Sequence, residues 1–186
     1  MSTKSSVPFT AARVPRVLVS SCLLGQPVRY HGRAAPCETD AAVILDRWRD
    51  AGLIAAVCPE VAGGLPTPRP PAEITGAMSG ERVWQHMARV VDDTGDDVTD
   101  AFIDGAQRAL ALAQRHGIRI AVLKEGSPSC GSTFVYDGSF TGAKIAGRGV
   151  AAALLREHGI EVFSEHTLAE ADARLRELSL PLPDAK

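Results

Sequence analysis

The chain contains no apolar run near the roughly 20 residues that span a bilayer, and neither sign of charge dominates it. Its 186 residues carry 20 Lys and Arg against 22 Asp and Glu, for a net charge of -2. Such a balance gives no field that would hold polyanions without specificity. Aromatic residues make up only 5% of the chain, so few rings are available to stack along a nucleic-acid strand. The sequence therefore predicts no membrane association and gives no strong nucleic-acid signal.

The sequence also lacks an export signal and has few cysteines. Residues 1–15 contain serine and threonine but no apolar stretch like that of a secretory signal, and we interpret them as a disordered lead-in. Four cysteines in such a chain indicate a reducing compartment, where thiols serve more often as ligands or catalysts than as disulfide partners. We therefore predict a cytoplasmic protein.

Short apolar runs alternate with helical patterns along the rest of the chain. The apolar runs predict strands at residues 16–20, 53–57, 118–123 and 160–163. The helical patterns predict helices at about 39–49, 96–116 and 149–158, and a last helix after the capping-box pair Thr167 and Glu170.

Three of these helices end at a glycine that leads directly into a strand, namely Gly52, Gly117 and Gly159. A repeated joint of this kind is typical of βαβ crossovers. It predicts a single α/β domain over residues 16–180, with three layers and a mainly parallel, Rossmann-like sheet. Prolines between residues 59 and 71 exclude a helix interior or a central strand, so we expect a rigid, largely extended loop there. The pattern over residues 74–93 is too weak to assign.

Thiol groups follow three of the predicted strands. Cys22 and Cys58 come directly after the first two, and Cys130 lies in the loop Lys124–Ser132 after the third. This loop is rich in Gly, Ser and Pro, which continue neither a strand nor a helix. Because parallel strands end at one edge of the sheet, where ligands bind in open α/β folds, the three cysteines can converge there.

The cysteine spacing alone leaves two interpretations open. It does not resemble the local cysteine pairs of zinc ribbons or ferredoxins, and small cysteines are often simply buried. The shared position at strand ends equally supports a site of three thiolates. Cys37 lies beside Pro36 before a helix, and we predict that it is not a ligand.

Three motifs carry a resemblance to a known family. They are SCLLG (21–25) with VRYHG (28–32), CPEVAGGLPTPRPPAEI (58–74) and LKEGSPSCG (123–131). In these motifs the chain resembles the TudS-type thiouracil desulfidases, and the resemblance extends from about Val17 to Phe163. The length of the second motif makes chance agreement improbable.

The resemblance implies an oxygen-sensitive 4Fe-4S cluster held by three cysteines, carried here onto Cys22, Cys58 and Cys130. It implies a fourth iron without a protein ligand, which takes the sulfur of the substrate, and an acid–base pair that falls on Glu60 and Ser127. Cys37 matches no ligand position. The implied reaction is a hydrolysis that consumes no electrons and turns thiouracil, or a related thiopyrimidine nucleoside or nucleotide, into a uracil-type product and hydrogensulfide.

Four further residues are candidates for binding the substrate: Lys124, Arg69, Arg29 and Tyr30. A structural role is open for most of the candidates as well. Lys124 can pair with Glu125, Arg69 can be solvated on a rigid loop, and Tyr30 can belong to the core. Likewise, Glu60 can cap a backbone amide and Ser127 can be a turn hydroxyl.

Two other functions remain open at this point: a redox or iron sensor whose cluster only reports oxygen, and a structural zinc protein. The expected partner is a small thiopyrimidine. The sequence is compatible with a monomer and with a homodimer.

Overall fold

The computed structural model describes residues 16–37 and 39–179. The predicted lead-in 1–15 lies outside the described residues. The strands are β1 (Val17–Ser20), β2 (Ile54–Val57), β3 (Ala72–Ile74), β4 (Val90–Asp92), β5 (Ile120–Leu123), β6 (Phe134–Tyr136), β7 (Lys144–Ala146) and β8 (Glu161–Ser164). The helices are α1 (Thr39–Asp50), α2 (Pro59–Ala62), α3 (Gly80–Trp84), α4 (Thr99–Arg115), α5 (Val150–Glu157) and α6 (Leu168–Ser179), with 3-10 turns at Ser21–Leu24 and Glu165–Thr167. Within these ranges no helix is both long and apolar enough to cross a membrane.

The central sheet has four strands in the order β2-β1-β5-β8, and all of its pairings are parallel. Its two middle strands, β1 and β5, are buried along their whole length, as expected for apolar strands covered on both faces. Two small antiparallel sheets, β3 with β4 and β6 with β7, lie outside it. The predicted mainly parallel sheet is confirmed.

Helices cover both faces of the central sheet and complete the predicted three layers. Side chains alternate between the faces along a strand, so Leu18 of β1 packs with α4 and α5 in one core cluster. Val17 and Val19 pack with α1 and α6 in the other. The largest fully buried side chain of each cluster comes from a helix, Phe102 of α4 in the first and Trp48 of α1 in the second.

The three predicted helix–glycine–strand joints are present. Gly52, Gly117 and Gly159 have φ angles of 66°, 60° and 75°, in the left-handed region that glycine adopts without steric cost. Each glycine reverses the chain so that the next strand returns along its neighbour. The joints therefore explain why the strands of the sheet run parallel.

One local prediction holds only in part, and another was wrong. The segment 59–71 is not extended throughout, because α2 occupies its start with Pro59 as the first helical residue, a position where the missing N–H of proline costs nothing. The capping box is formed by Ser164 and Thr167 around the second 3-10 turn, and the Thr167 hydroxyl accepts the Ser164 N–H at 3.1 Å. The predicted partner, Glu170, lies inside α6.

Helix α2 packs directly on α4 through two glycines. A Cβ atom on Gly105 would lie 1.9 Å from the Pro59 carbonyl oxygen, and one on Gly63 would lie 1.9 Å from the Ala101 oxygen. No side chain fits at either position. The close backbone contact with α4 thus fixes the position of α2, the short helix that follows Cys58.

We expect Gly105→Ala to lower the free energy of unfolding by about 3 kcal/mol, the upper end for overpacking, because the methyl group meets backbone that cannot rotate away. This loss exceeds the roughly 1 kcal/mol that alanine gains over glycine in a helix. Urea unfolding measures the change. Gln107→Ala, at an exposed position of the same helix, is the control and should shift stability by less than about 0.5 kcal/mol. Equal stability of the two variants would contradict the contact.

Candidate active site

A cavity of about 580 Å³ opens at the C-terminal ends of β1, β2 and β5. All nine site residues predicted from the sequence line it: Cys22, Cys58, Cys130, Glu60, Ser127, Lys124, Arg69, Arg29 and Tyr30. The fold therefore brings together residues from three separate stretches of the chain. Cys37 instead lines a neighbouring cavity, with Glu165 and His166, and its exclusion from the ligand set stays a prediction.

Each motif cysteine is placed by a different strand. Cys22 lies in the 3-10 turn that follows β1, and Cys58 is the residue between β2 and α2. Cys130 lies in the loop after β5, whose backbone is fixed by hydrogen bonds to the first residues of α5. Because β2, β1 and β5 are neighbours that run parallel, the three thiols leave the sheet at one edge.

Burial makes all three thiols hard to ionise. It raises the pKa of Cys22 to about 11, and it is the main cause of the raised pKa values of Cys58 and Cys130. Each cysteine is also close enough to another cysteine of the set for their negative charges to repel, as between Cys22 and Cys58. A bound metal cation would remove both costs, because it converts thiols into thiolate ligands.

The donor set fits an iron–sulfur cluster better than a single ion. Within the described part of the chain, no three His, Cys, Asp or Glu side chains are grouped so that they would hold one metal ion. A cluster presents separate irons to separate thiolates, so its ligands need not converge on one point. Thiolates are also the soft ligands that such clusters take. The structure therefore gives no support to a structural zinc site at these cysteines.

Glu60 and Ser127 lie in direct contact at this cavity. The Ser127 hydroxyl donates to Glu60 Oε1 at 3.1 Å and accepts the backbone N–H groups of Ser129 and Cys130, each at 3.1 Å. Because the backbone groups can only donate, the single hydroxyl proton is directed to the carboxylate. This hydrogen bond joins the loop after β2 to the loop after β5.

Arg69 is not the solvated arginine that the sequence left open, since its side chain is only 5% exposed. Its Nε donates to Glu60 Oε2 at 2.8 Å, and its Nη2 also pairs with that oxygen. Its Nη1 donates to the carbonyl oxygens of Val28 at 3.1 Å and Pro66 at 3.0 Å. These contacts hold the Glu60 carboxylate in place. Binding of substrate by Arg69 stays a prediction.

Lys124 pairs with Glu165 rather than with its neighbour Glu125. The Glu125 carboxylate turns into its own loop, where it accepts the Ser132 hydroxyl at 2.6 Å and the Ser132 and Thr133 N–H groups at 2.8 and 3.1 Å. Although burial alone would raise it, the pKa of Glu125 is lowered by these hydrogen bonds. Glu125 thus shapes the loop that carries Cys130.

Arg29 and Tyr30 lie on the loop that follows Cys22 and line the cavity. Tyr30 is 39% exposed, so the alternative that it belongs to the core is wrong. The Arg29 guanidinium carbon lies 5.7 Å from the centre of the Tyr30 ring, and its charge lowers the pKa of Cys22 against the effect of burial. Both residues are positioned to meet a molecule that enters the cavity.

One wall of the cavity, the hairpin of β6 and β7, was not predicted from the sequence. Phe134 and Tyr136 of β6 line the cavity with their rings edge to face and their centres 6.4 Å apart. Lys144 of β7 places its Nζ 4.4 Å from the centre of the Phe134 ring. The alternation in Phe134-Val135-Tyr136 before a glycine-containing turn is a hairpin signal. It was too short to be distinguished from a loop.

Comparison with known proteins gives consistent matches over this same region. The family described as 2-thiouracil desulfurase matches residues 17–167. The uncharacterized protein YbbK of Bacillus subtilis (strain 168) is 45% identical over 152 residues, which cover 82% of this chain and 97% of that protein.

A solved structure is also similar. It is that of a [4Fe-4S]-dependent thiouracil desulfidase, TudS, and it shares 50% sequence identity and a TM-score of 0.77 with this chain. The match covers 88% of this chain and 99% of the other. With its parallel sheet, its three cysteine loops and these matches, the chain belongs to the 2-thiouracil desulfurase family.

Proposed function

We propose that this protein is a cytoplasmic thiouracil desulfidase that hydrolyses the C=S group of thiouracil or of a related thiopyrimidine nucleoside or nucleotide. The observation that carries the proposal is the hydrogen bond between Ser127 and Glu60 at the cavity that also holds the three motif cysteines. Membership of the family and the similarity to a solved thiouracil desulfidase support it.

In this proposal a 4Fe-4S cluster is held by Cys22, Cys58 and Cys130. When bound, such a cluster supplies an iron that has no protein ligand and acts as a Lewis acid toward the soft sulfur of the substrate. Support comes from two buried thiols, of Cys22 and Cys130, and the half-buried thiol of Cys58 around one cavity, and from the [4Fe-4S]-dependent neighbour at 50% identity.

Glu60 is the proposed general base. Arg69 holds one carboxylate oxygen, while the other lies toward Ser127. Glu60 takes a proton from water as the water oxygen bonds to the ring carbon. The remaining proton of the added hydroxyl then passes to the sulfur, the C–S bond breaks with its electron pair going to sulfur, and hydrogensulfide leaves while a carbonyl replaces the thiocarbonyl. One water is consumed and no electrons are transferred.

Ser127 and the cavity walls orient the substrate in this scheme. The Ser127 hydroxyl, within hydrogen-bond distance of Glu60, can pass a proton between the carboxylate and the ring. Phe134 offers an aromatic face to a planar pyrimidine, once Lys144 moves off the ring that it covers. Lys124, Arg69, Arg29 and Tyr30 keep their predicted roles as binding residues.

Turnover by the anaerobically reconstituted protein tests the proposal. Incubation with 2-thiouracil should yield uracil and hydrogensulfide in equal amounts, measured by chromatography and a sulfide assay. Glu60→Gln should lower the rate by about 1,000-fold, because the general base is lost, with the iron content unchanged. A protein that binds iron and sulfide but releases no sulfide from thiouracil would be a sensor, and the proposal would be wrong.

Paired variants separate catalysis from cluster binding. Ser127→Ala should keep the visible absorption of the cluster and lower turnover by about 100-fold, whereas Cys130→Ser should lose both. Cys37→Ser is the matched control, since Cys37 lies in the other cavity, and it should keep its iron and its rate. Full activity of Cys130→Ser would contradict the ligand assignment.

The aromatic wall gives a prediction about affinity. Phe134→Leu should raise KM for thiouracil about tenfold, the effect of losing roughly 1.4 kcal/mol of ring stacking, and should leave kcat nearly unchanged. Phe134→Tyr keeps the ring and should bind more tightly than Phe134→Leu. Steady-state kinetics measure both values. Equal KM values for the two variants would exclude stacking on this residue.

A further inference from the structure

Ser20 is the last residue of β1 and is almost completely buried, with 2% of its surface exposed. Its hydroxyl oxygen lies 3.6 Å from the sulfur of Cys130 and 3.1 Å from the backbone nitrogen of Lys124. It directly precedes the motif SCLLG (21–25). The hydroxyl thus connects the end of the central strand with both ends of the segment that runs from Lys124 to Cys130.

The direction of the Ser20 hydrogen bond follows from its two neighbours. The backbone N–H of Lys124 can only donate, so it takes a lone pair of the Ser20 oxygen. The one proton of the hydroxyl is then free for the Cys130 sulfur. The Lys124 N–H, which follows the neighbouring strand β5, therefore orients the Ser20 hydroxyl so that it donates to the sulfur of Cys130.

The three motif cysteines differ in burial and in what their sulfurs contact. Cys130 is 5% exposed and Cys22 7% exposed, whereas Cys58 is only half-buried. Among the described residues, the Cys130 sulfur accepts the hydroxyl of Ser20, while the Cys58 thiol donates toward the Val28 carbonyl oxygen at 3.8 Å. Ser20 thus serves the cysteine that is furthest from water.

We propose that Ser20 is a positioning residue that tunes the cluster through its O–H···S hydrogen bond to Cys130. Hydrogen bonds to ligand sulfurs draw electron density from the metal and set the reduction potential. In this chain the bond makes the irons more electrophilic, which favours polarisation of the substrate's C=S group. The inference rests on the proposed function through the assignment of Cys130 as a ligand.

Ser20→Ala tests this inference in the anaerobically reconstituted holoprotein. We expect a more negative midpoint potential in a redox titration followed by EPR, and a shift of the Fe–S(Cys) stretching bands to higher frequency in resonance Raman spectra. The kcat should fall several-fold while KM stays the same. Ser20→Thr keeps the hydroxyl and should keep a potential near that of the wild type.

Ser129→Ala is the matched control. It removes another buried hydroxyl, next to Cys130 in the chain, for which the described residues provide no hydrogen-bond partner. Its potential and stretching bands should equal those of the wild type. If Ser20→Ala matches this control in both, the inference is wrong. If Ser20→Ala binds no iron, the iron content of Ser20→Thr is the deciding measurement. Loss of iron in Ser20→Thr as well would mean that Ser20 is a packing residue only, and the inference would be wrong.

The inference and the proposed function fail in different ways. A shifted potential in Ser20→Ala, in a protein whose wild type releases no sulfide from thiouracil, would leave the tuning role intact and refute the desulfidase. Normal sulfide release with an unshifted potential would refute only the role of Ser20.

Discussion

The parallel pairing of β1 with β2 on one side and β5 on the other is the constraint on which the site depends. The register pairs Ser20 with Val57 and Val19 with Val122, so the three strands end almost level. Each ladder is a set of backbone hydrogen bonds inside an apolar sheet, where slipping by one residue would turn buried side chains to the wrong face. The positions of three sulfurs far apart in sequence are thereby set by the same bonds that hold the core.

Burial gives this site its chemical character. A sulfur that is removed from water resists ionisation, and repulsion between neighbouring thiolates adds to the cost. Local groups offset part of this cost at the three cysteines: three side-chain charges, two backbone N–H groups and one hydroxyl. These groups do not remove the cost of ionising the three thiols, whose pKa values stay raised. A bound cationic group would stabilise the three thiolates.

Much of the fold could be predicted from sequence because buried parallel strands are short apolar runs and their helices end at glycines such as Gly117. The convergence of the cysteines followed from topology alone. The side-chain partners could not be predicted in this way. Arg69 pairs with Glu60, nine positions away, and Lys124 pairs with Glu165, 41 positions away, rather than with the adjacent Glu125. Local sequence determines which donors a side chain carries, but tertiary packing determines what it meets. Strands of three residues, as in β6, carry too little pattern to be recognised.

Among the described strands, β6 and β7 pair only with each other. The tip of their hairpin is fastened at Gly138 and Phe140, whose N–H groups donate to the buried carboxylate of Glu73. The loops of the three motif cysteines, by contrast, all follow strands of the central sheet. The aromatic wall of the cavity and the frame that carries the three sulfurs are thus separate segments of the chain. Directed evolution can therefore vary the hairpin between its fastened tip and its base, and so reshape this side of the cavity, while the frame that carries the cysteines stays unchanged.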